Sequence, residues 1–253
     1  MTINACADLV QRGDPDRFAA VMAAPVGLRA RLFPLYAFNL EVARAPWVTK
    51  EPLIAEMRLQ WWRDVVAEPA RRAHDVAGPL FDLIHAQGLP VAVCDTLIAA
   101  RRWDVYHDAF ADTAAFTSYL DDTGGGLMWL AALACGANPA AEPAVRAYGW
   151  AAALAGFLRA VPVLITRGRH PLIDTQPDAL RDLANLGLQR IKIARAGRAL
   201  VGQAGPALLA GWQALPMLQQ VAADPRVVLQ NHIGQSEFAR RAGLIWQTYS
   251  GRW

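Results

Sequence analysis

The stretch Phe33–Pro69, FPLYAFNLEVARAPWVTKEPLIAEMRLQWWRDVVAEP, decides how the rest of the chain is read. It reads as two helices joined by a proline-marked bend, since proline interrupts a helix interior but is tolerated in a first turn. In the second of them, Pro52–Ala67, the residues Ile54, Met57, Trp61 and Val65 recur at helical spacing and predict a core-facing stripe. A second stretch, Gly149–Leu172 (GWAAALAGFLRAVPVLITRGRHPL), reads as its partner.

Outward from these two stretches the helical reading continues. Asp14–Ala24 opens with Asp14 in the N-cap position and Pro15 at the first helical position, and Pro25 closes it. Phe18, Val21 and Met22 fall on one face of it. Leu28–Arg44 follows. Beyond the bend, Pro79–Gln87, Pro90–Arg102 and Thr113–Leu120 predict three further helices. Leu120–Cys135 reads as a long apolar helix entered through Asp121, Asp122 and three glycines. Pro143–Leu158 leads into Arg159–Pro171, and Pro177–Ala196, Gly205–Val221 and Gln235–Tyr249 complete the series. No run alternates as a strand would, and neither a tandem repeat nor a flexible linker interrupts the pattern. The expectation is an all-α, single-domain helical bundle of about ten helices over residues 1–253.

Composition agrees. With 54% hydrophobic residues a large core can form, which excludes disorder. The longest apolar runs, Leu127–Ala137 and Trp150–Leu158, are broken by Gly136 and Arg159, so no transmembrane segment is expected. The N-terminus lacks the basic and apolar regions of a signal peptide. Cys6, Cys94 and Cys135 are dispersed and lack metal-ligand spacing, which fits a reducing compartment. The net charge is +3, and nearly all the positive charge is arginine, a side chain suited to bidentate contact with phosphate or carboxylate. A GC-rich genome would equally produce that bias. Basic and acidic residues are interleaved, so no nucleic acid partner is expected.

At LYAFNLEVA followed by RLQWWRD, the sequence resembles the squalene/phytoene synthase family, whose members carry an LYAFCR-type helix and then a Trp-Trp-Arg pattern. The similarity resumes at YLDDTGGGLMWLAALACG, in the place of the family's YxxxVAG segment. It resumes again at Gly149–Leu172, where Arg159, Gly168, Arg169 and Leu172 fall in register with the family's second Asp-rich segment. It is strongest over residues 14–200. The resemblance implies an isoprenoid-synthase fold with a central cavity. In such enzymes two Asp-rich motifs on facing helices hold Mg²⁺, which binds and ionises prenyl diphosphates joined head to head. The metal neutralises a leaving group that carries several negative charges.

Carried over residue by residue, the resemblance places the first Asp motif on Ala43 and Trp47 and the second on Ala160 and Leu164. The family arginine before the first motif falls on Leu40, while Tyr36 is retained. Pro46 lies within the first motif and Pro162 within the second, so both helices are expected to kink or end there. A narrower resemblance is to the divergent branch that includes the mitochondrial complex I assembly factor of phytoene-synthase type, whose members keep the fold and lack the Asp motifs.

Other residues carry weaker signals. Asp104 and Asp108, in WDVYHD with His107, have DxxxD spacing and are an alternative metal site; the competing reading is a solvated helix end. Asp121 and Asp122 at the glycine-rich entry are another alternative cation site, against close helix packing. Arg159, Arg167 and Arg169, with Arg58 and Arg63, are candidates for holding a diphosphate or phospholipid head group, against surface or internal ion pairing. The Trp-rich C-terminus, Leu244–Trp253, suits docking on a membrane or partner, or closure of the bundle.

Two functions therefore stay open. One is a non-catalytic protein that binds an isoprenoid or lipid, or serves respiratory-complex assembly, with Tyr36, Glu41, Arg58, Arg159, Arg167 and Arg169 as ligand-binding candidates. It would have no cofactor and a membrane-associated protein partner. The other is a prenyl-diphosphate transferase that uses Mg²⁺ with displaced carboxylates, namely Glu41, Asp64, Asp104, Asp108, Asp121 and Asp122. A helical scaffold without a ligand is a third. The expected location is cytoplasmic or peripheral on the inner membrane, or an organelle matrix in a eukaryote.

Overall fold

The structure, a computed structural model, describes residues 3–106 and 108–253. His107 lies outside the described residues. Within them the regular structure is helical, with twelve helices of at least eight residues and no strand.

Local signals set most of the helix ends. Helix α1 (Ile3–Gly13), which the sequence reading did not anticipate, buries Cys6 and Val10 and packs on α3. In α2 (Pro15–Ala23) Asp14 is the N-cap, and its carboxylate accepts from the Arg17 amide at 2.9 Å. Helix α3 (Val26–Arg44) ends as Pro46 predicts, giving way to a 3-10 turn at Ala45–Trp47. Helix α4 (Pro52–Ala67) has the expected limits. Next come α5 (Ala77–Gln87), stopped by Gly88 in a left-handed conformation, and α6 (Val91–Ala100). Helix α7 (Thr113–Leu120) passes through a π turn at Asp121–Gly125 into α8 (Gly126–Ala134). The expected uninterrupted helix over 120–135 is thus widened at its glycines.

The stripe expected on α4 is rotated. Ile54 and Met57 are exposed, and the buried side chains are Ala55, Leu59, Trp62, Val65 and Val66. Both faces carry apolar residues at helical spacing. Packing against α6, fixed by a bidentate Arg63–Asp95 pair at 2.6 and 3.0 Å, selects the face with Leu59 and Trp62.

Helix α9 (Glu142–Thr166) does not end at Pro162, one of the two outcomes expected there, but continues for one further turn. The proline costs about 3 kcal/mol in a helix interior. Burial of Leu158, Val161 and Leu164 around it, at about 1.5–3 kcal/mol each, offsets that cost. By length and composition the segment Pro139–Thr166 could cross a membrane. Here it packs against α8 and α10 (Pro177–Ala196), with Trp150, Leu154 and Leu158 fully buried. After α10, two four-residue helical turns lead to α11 (Ala214–Ala223), and α12 (Glu237–Ser250) follows.

The π turn meets α9 at very close range. A Cβ on Gly124 would lie 2.3 Å from the Ala153 Cβ, and one on Gly149 would lie 2.6 Å from the Gly124 carbonyl. The three-glycine entry therefore serves helix packing. One continuous core runs from Cys6 to Trp253.

Candidate functional site

Between α2, α3, the π turn, α9 and the start of α11 lies a cavity of about 380 Å³. Its apolar wall includes Leu120, Leu127, Met128, Phe157 and Met217, with alanines and glycines from α9. Positions on α3, on the 3-10 turn after it and on α9 bring Ala43, Trp47, Ala160 and Leu164 into the same cavity, and Tyr36 and Arg159 join them. So the four positions where the family resemblance puts metal-binding carboxylates do converge, and they present methyls, a branched alkyl chain and an indole.

Polar groups occupy two ends. At the mouth, Asp14 pairs with Arg17 at 3.0 Å, and Asp16 pairs with Arg159 at 3.2 Å and with Arg240 of α12. Burial pushes the Asp16 carboxyl up, yet hydrogen bonds from Gln213 and Arg159 and the charge of Arg240 hold it below the usual carboxylate range. At the other end Arg101 donates to Asp104 at 3.2 Å and to the Tyr119 hydroxyl at 2.9 Å, and Tyr119 donates to Asp104 at 3.0 Å. Burial drives the Tyr119 hydroxyl pKa well above its ordinary value. Behind this trio Arg169, 5% exposed, donates to the carbonyls of Asp104 and Tyr106. The guanidiniums of Arg167 and Arg169 lie 4.8 and 4.4 Å from the Trp47 ring centroid. Desolvation lowers the Arg169 pKa from its ordinary value.

The remaining candidates lie elsewhere. Glu41 is half-buried and does not line the cavity, and Arg58 is exposed on α4. Of the six displaced carboxylates, Asp104 alone lines the cavity. Asp64 and Asp108 are exposed, and Asp121 pairs with Arg146 at 3.2 Å. Asp122 borders a separate small recess, and burial, then the neighbouring Asp121, raises its pKa. Among the described residues no three His, Cys, Asp or Glu side chains are grouped to hold a metal. Mg²⁺ takes carboxylate and other oxygen ligands in octahedral geometry. The residues at the resemblance positions do not fit it, and each aspartate in the cavity wall is bonded to an arginine.

Sequence reasoning missed Asp14 and Asp16 as cavity residues, and also Arg17, Asn39, Arg101 and Tyr119. Asn39 sat in the quoted AFNLEVA motif, where its polarity inside an apolar run was a usable signal. The others come from segments far apart in sequence.

Helix α12 presents an unusual surface. Its inner side is tied to the body by Arg240–Asp16 and by Gln247, which donates to the Trp212 carbonyl at 3.0 Å. Phe238, Ile245, Trp246 and Tyr249 face outward and exposed.

A model of the squalene/phytoene synthase family matches residues 10–236. The complex I assembly factor 6 homolog of Drosophila melanogaster is 29% identical over 197 residues, covering 74% of this chain and 58% of that protein. The Homo sapiens assembly factor 6 is 24% identical over 167 residues, covering 64% and 50%. The chain thus spans about half the length of the curated relatives it matches. Among solved structures, a dehydrosqualene synthase in complex with ligand superposes with a TM-score of 0.80 at 15% identity, over 98% of this chain and 95% of that one. Squalene synthase HpnC from Alicyclobacillus acidocaldarius gives 0.65 at 18% identity, over 98% and 94%. At these identities the likeness establishes the fold, which is that of the isoprenoid synthases.

Proposed function

The chain belongs to the squalene/phytoene synthase family, and from that premise we propose that it is a non-catalytic member. It binds a lipid or isoprenoid in the central cavity and serves the assembly of a respiratory complex at an inner-membrane surface. The observation that carries this reading is the alkyl and indole lining at Ala43, Trp47, Ala160 and Leu164, on the facing walls of a retained cavity. Ionising a diphosphate requires cations or donors positioned where the charge develops. Trp47 instead lies against Arg167 and Arg169, so a cation–π contact occupies that end of the site.

The similarity to complex I assembly factors in two animals supports the assembly role and a protein partner. The outward aromatic face of α12 supports attachment to a membrane surface, where Trp and Tyr favour the boundary between water and hydrocarbon. In this reading Tyr36 and Arg159 contact the ligand, no metal takes part, and Arg169 braces Trp47.

The decisive experiment incubates the purified protein with farnesyl diphosphate and Mg²⁺ and measures released diphosphate. The expected result is none above the uncatalysed rate. Turnover would restore the prenyltransferase reading, with Asp14, Asp16 and Asp104 as the carboxylates that line the cavity.

A further inference from the structure

The cavity wall is electrically balanced. Its charged residues are Asp14, Asp16 and Asp104 against Arg17, Arg101 and Arg159, three of each sign, and every aspartate is already bonded to an arginine. A free diphosphate entering without a metal would meet arginines whose charge is already compensated, and the carboxylates beside them would repel it. Balanced walls of this kind suit an uncharged ligand.

Three side-chain atoms of the wall residues lack a hydrogen-bond partner, namely Asn39 Oδ1, Arg17 Nε and, at the Asp104 end, Arg101 Nε. Asn39 is 5% exposed, lines the cavity, and its side-chain oxygen Oδ1 has no hydrogen-bond partner. A buried amide left unpaired costs more than its hydrogen bonds would return, so such groups are almost always satisfied. The Nε of Arg17, also in the wall, is likewise buried and unpartnered. The two belong together. Arg17 lies over the Tyr36 ring at 5.1 Å, and Tyr36 is one helical turn before Asn39 on α3. Both residues therefore neighbour Tyr36, Arg17 with a buried donor and Asn39 with a buried acceptor, in a wall whose charged groups are paired with one another.

We propose that the cavity takes an uncharged, elongated apolar molecule carrying one hydroxyl group, which Asn39 and Arg17 hold. An alcohol donates one hydrogen bond, which Asn39 Oδ1 accepts, and its oxygen can accept one from the Arg17 N–H. The rest of the molecule lies against Leu120, Leu127, Met128, Phe157 and Met217. A volume of about 380 Å³ accommodates about a dozen groups the size of a water molecule, each about 30 Å³. That is the scale of a medium-length terpenoid or fatty alcohol.

The proposal rests on the reading that the cavity holds a ligand without reacting it. Its test compares farnesol, farnesyl methyl ether and farnesyl diphosphate by isothermal titration, with and without Mg²⁺, on the wild-type chain and on Asn39→Leu. Farnesol is expected to bind, and the ether, which cannot donate, about tenfold more weakly, the loss that goes with one buried hydrogen bond. Asn39→Leu should keep the thermal midpoint, bind farnesol about tenfold more weakly and no longer separate it from the ether. The wild-type comparison of alcohol and ether stands even if the variant fails to fold. Tighter binding of the diphosphate, equal binding of alcohol and ether, or no farnesol binding would overturn the proposal. Diphosphate bound without turnover would do so while leaving the non-catalytic reading intact.

Discussion

The Arg169 guanidinium lies 4.4 Å from the centroid of the Trp47 ring, joining the turn after α3 to the turn after α9. The same guanidinium caps the carbonyls of Asp104 and Tyr106, so one buried side chain organises that end of the cavity. Arg169→Ala should therefore destabilise the protein by about 2–4 kcal/mol, since it strands two carbonyls and removes a cation–π contact. Arg169→Lys should recover less than half of that, because an ammonium cannot reach two acceptors and stack at once. Urea unfolding reads both, and a loss below about 1 kcal/mol for the alanine variant would show that the contact is dispensable.

Gly124 and Gly149 predict a contrast with Gly156. A Cβ at either of the first two meets backbone or side chain well inside contact distance, whereas nothing lies within 4 Å of one at Gly156. Gly149→Ala should cost about 1–3 kcal/mol by overpacking. Gly156→Ala should be neutral or stabilising by up to about 1 kcal/mol, since alanine is the better helix former. Thermal midpoints that moved alike in the two variants would contradict the close approach of α9 to the π turn.

Millimolar Mg²⁺ should leave the thermal midpoint unchanged within about 1 °C. A metal held by the native state at a hundred times its Kd would add about 2.7 kcal/mol, which corresponds to several degrees in a chain of this size. A clear rise with Mg²⁺ that EDTA reverses would point to a metal site rebuilt from other carboxylates.

The three cysteines set a pH dependence. Burial pushes the Cys6 thiol up to about 11 and those of Cys94 and Cys135 to about 12, from an ordinary value of 9.0. The folded state holds these protons more tightly than the unfolded chain does. Their contribution is complete below about pH 9 and is lost as pH rises towards 11–12. Stability measured between those limits should fall steeply, and at pH 8 a thiol reagent should modify the native protein far more slowly than the unfolded one. Fast modification of all three native thiols would contradict their burial.

If the α12 face meets a membrane, Phe238→Glu, Ile245→Glu and Tyr249→Glu together should abolish sedimentation with anionic lipid vesicles and leave the thermal midpoint within about 2 °C. These side chains are 83%, 69% and 87% exposed, so they support little of the fold. Wild-type protein that stays in the supernatant at low salt would remove the lipid role of this face.

Much of the architecture could be read from the sequence because its determinants are local. Asp14 caps α2, Pro46 closes α3, and prolines open α4 and α10, where each residue acts within one turn of itself. The family resemblance likewise depended on order and spacing along the chain, and it located Tyr36, Ala43, Trp47, Arg159, Ala160 and Leu164, which meet in one cavity. Tertiary packing decided what has no local cause. It selected the Leu59–Trp62 face of α4 over the Ile54–Met57 face, and it carried α9 through Pro162 because the burial around that proline outweighs its cost. It also paired Asp16 with Arg159, 143 positions away, which neutralises charges that look free when read singly. Helix limits follow from backbone chemistry within a turn, but the polarity of a cavity is a sum over side chains from many segments, and that sum exists only once the chain has folded.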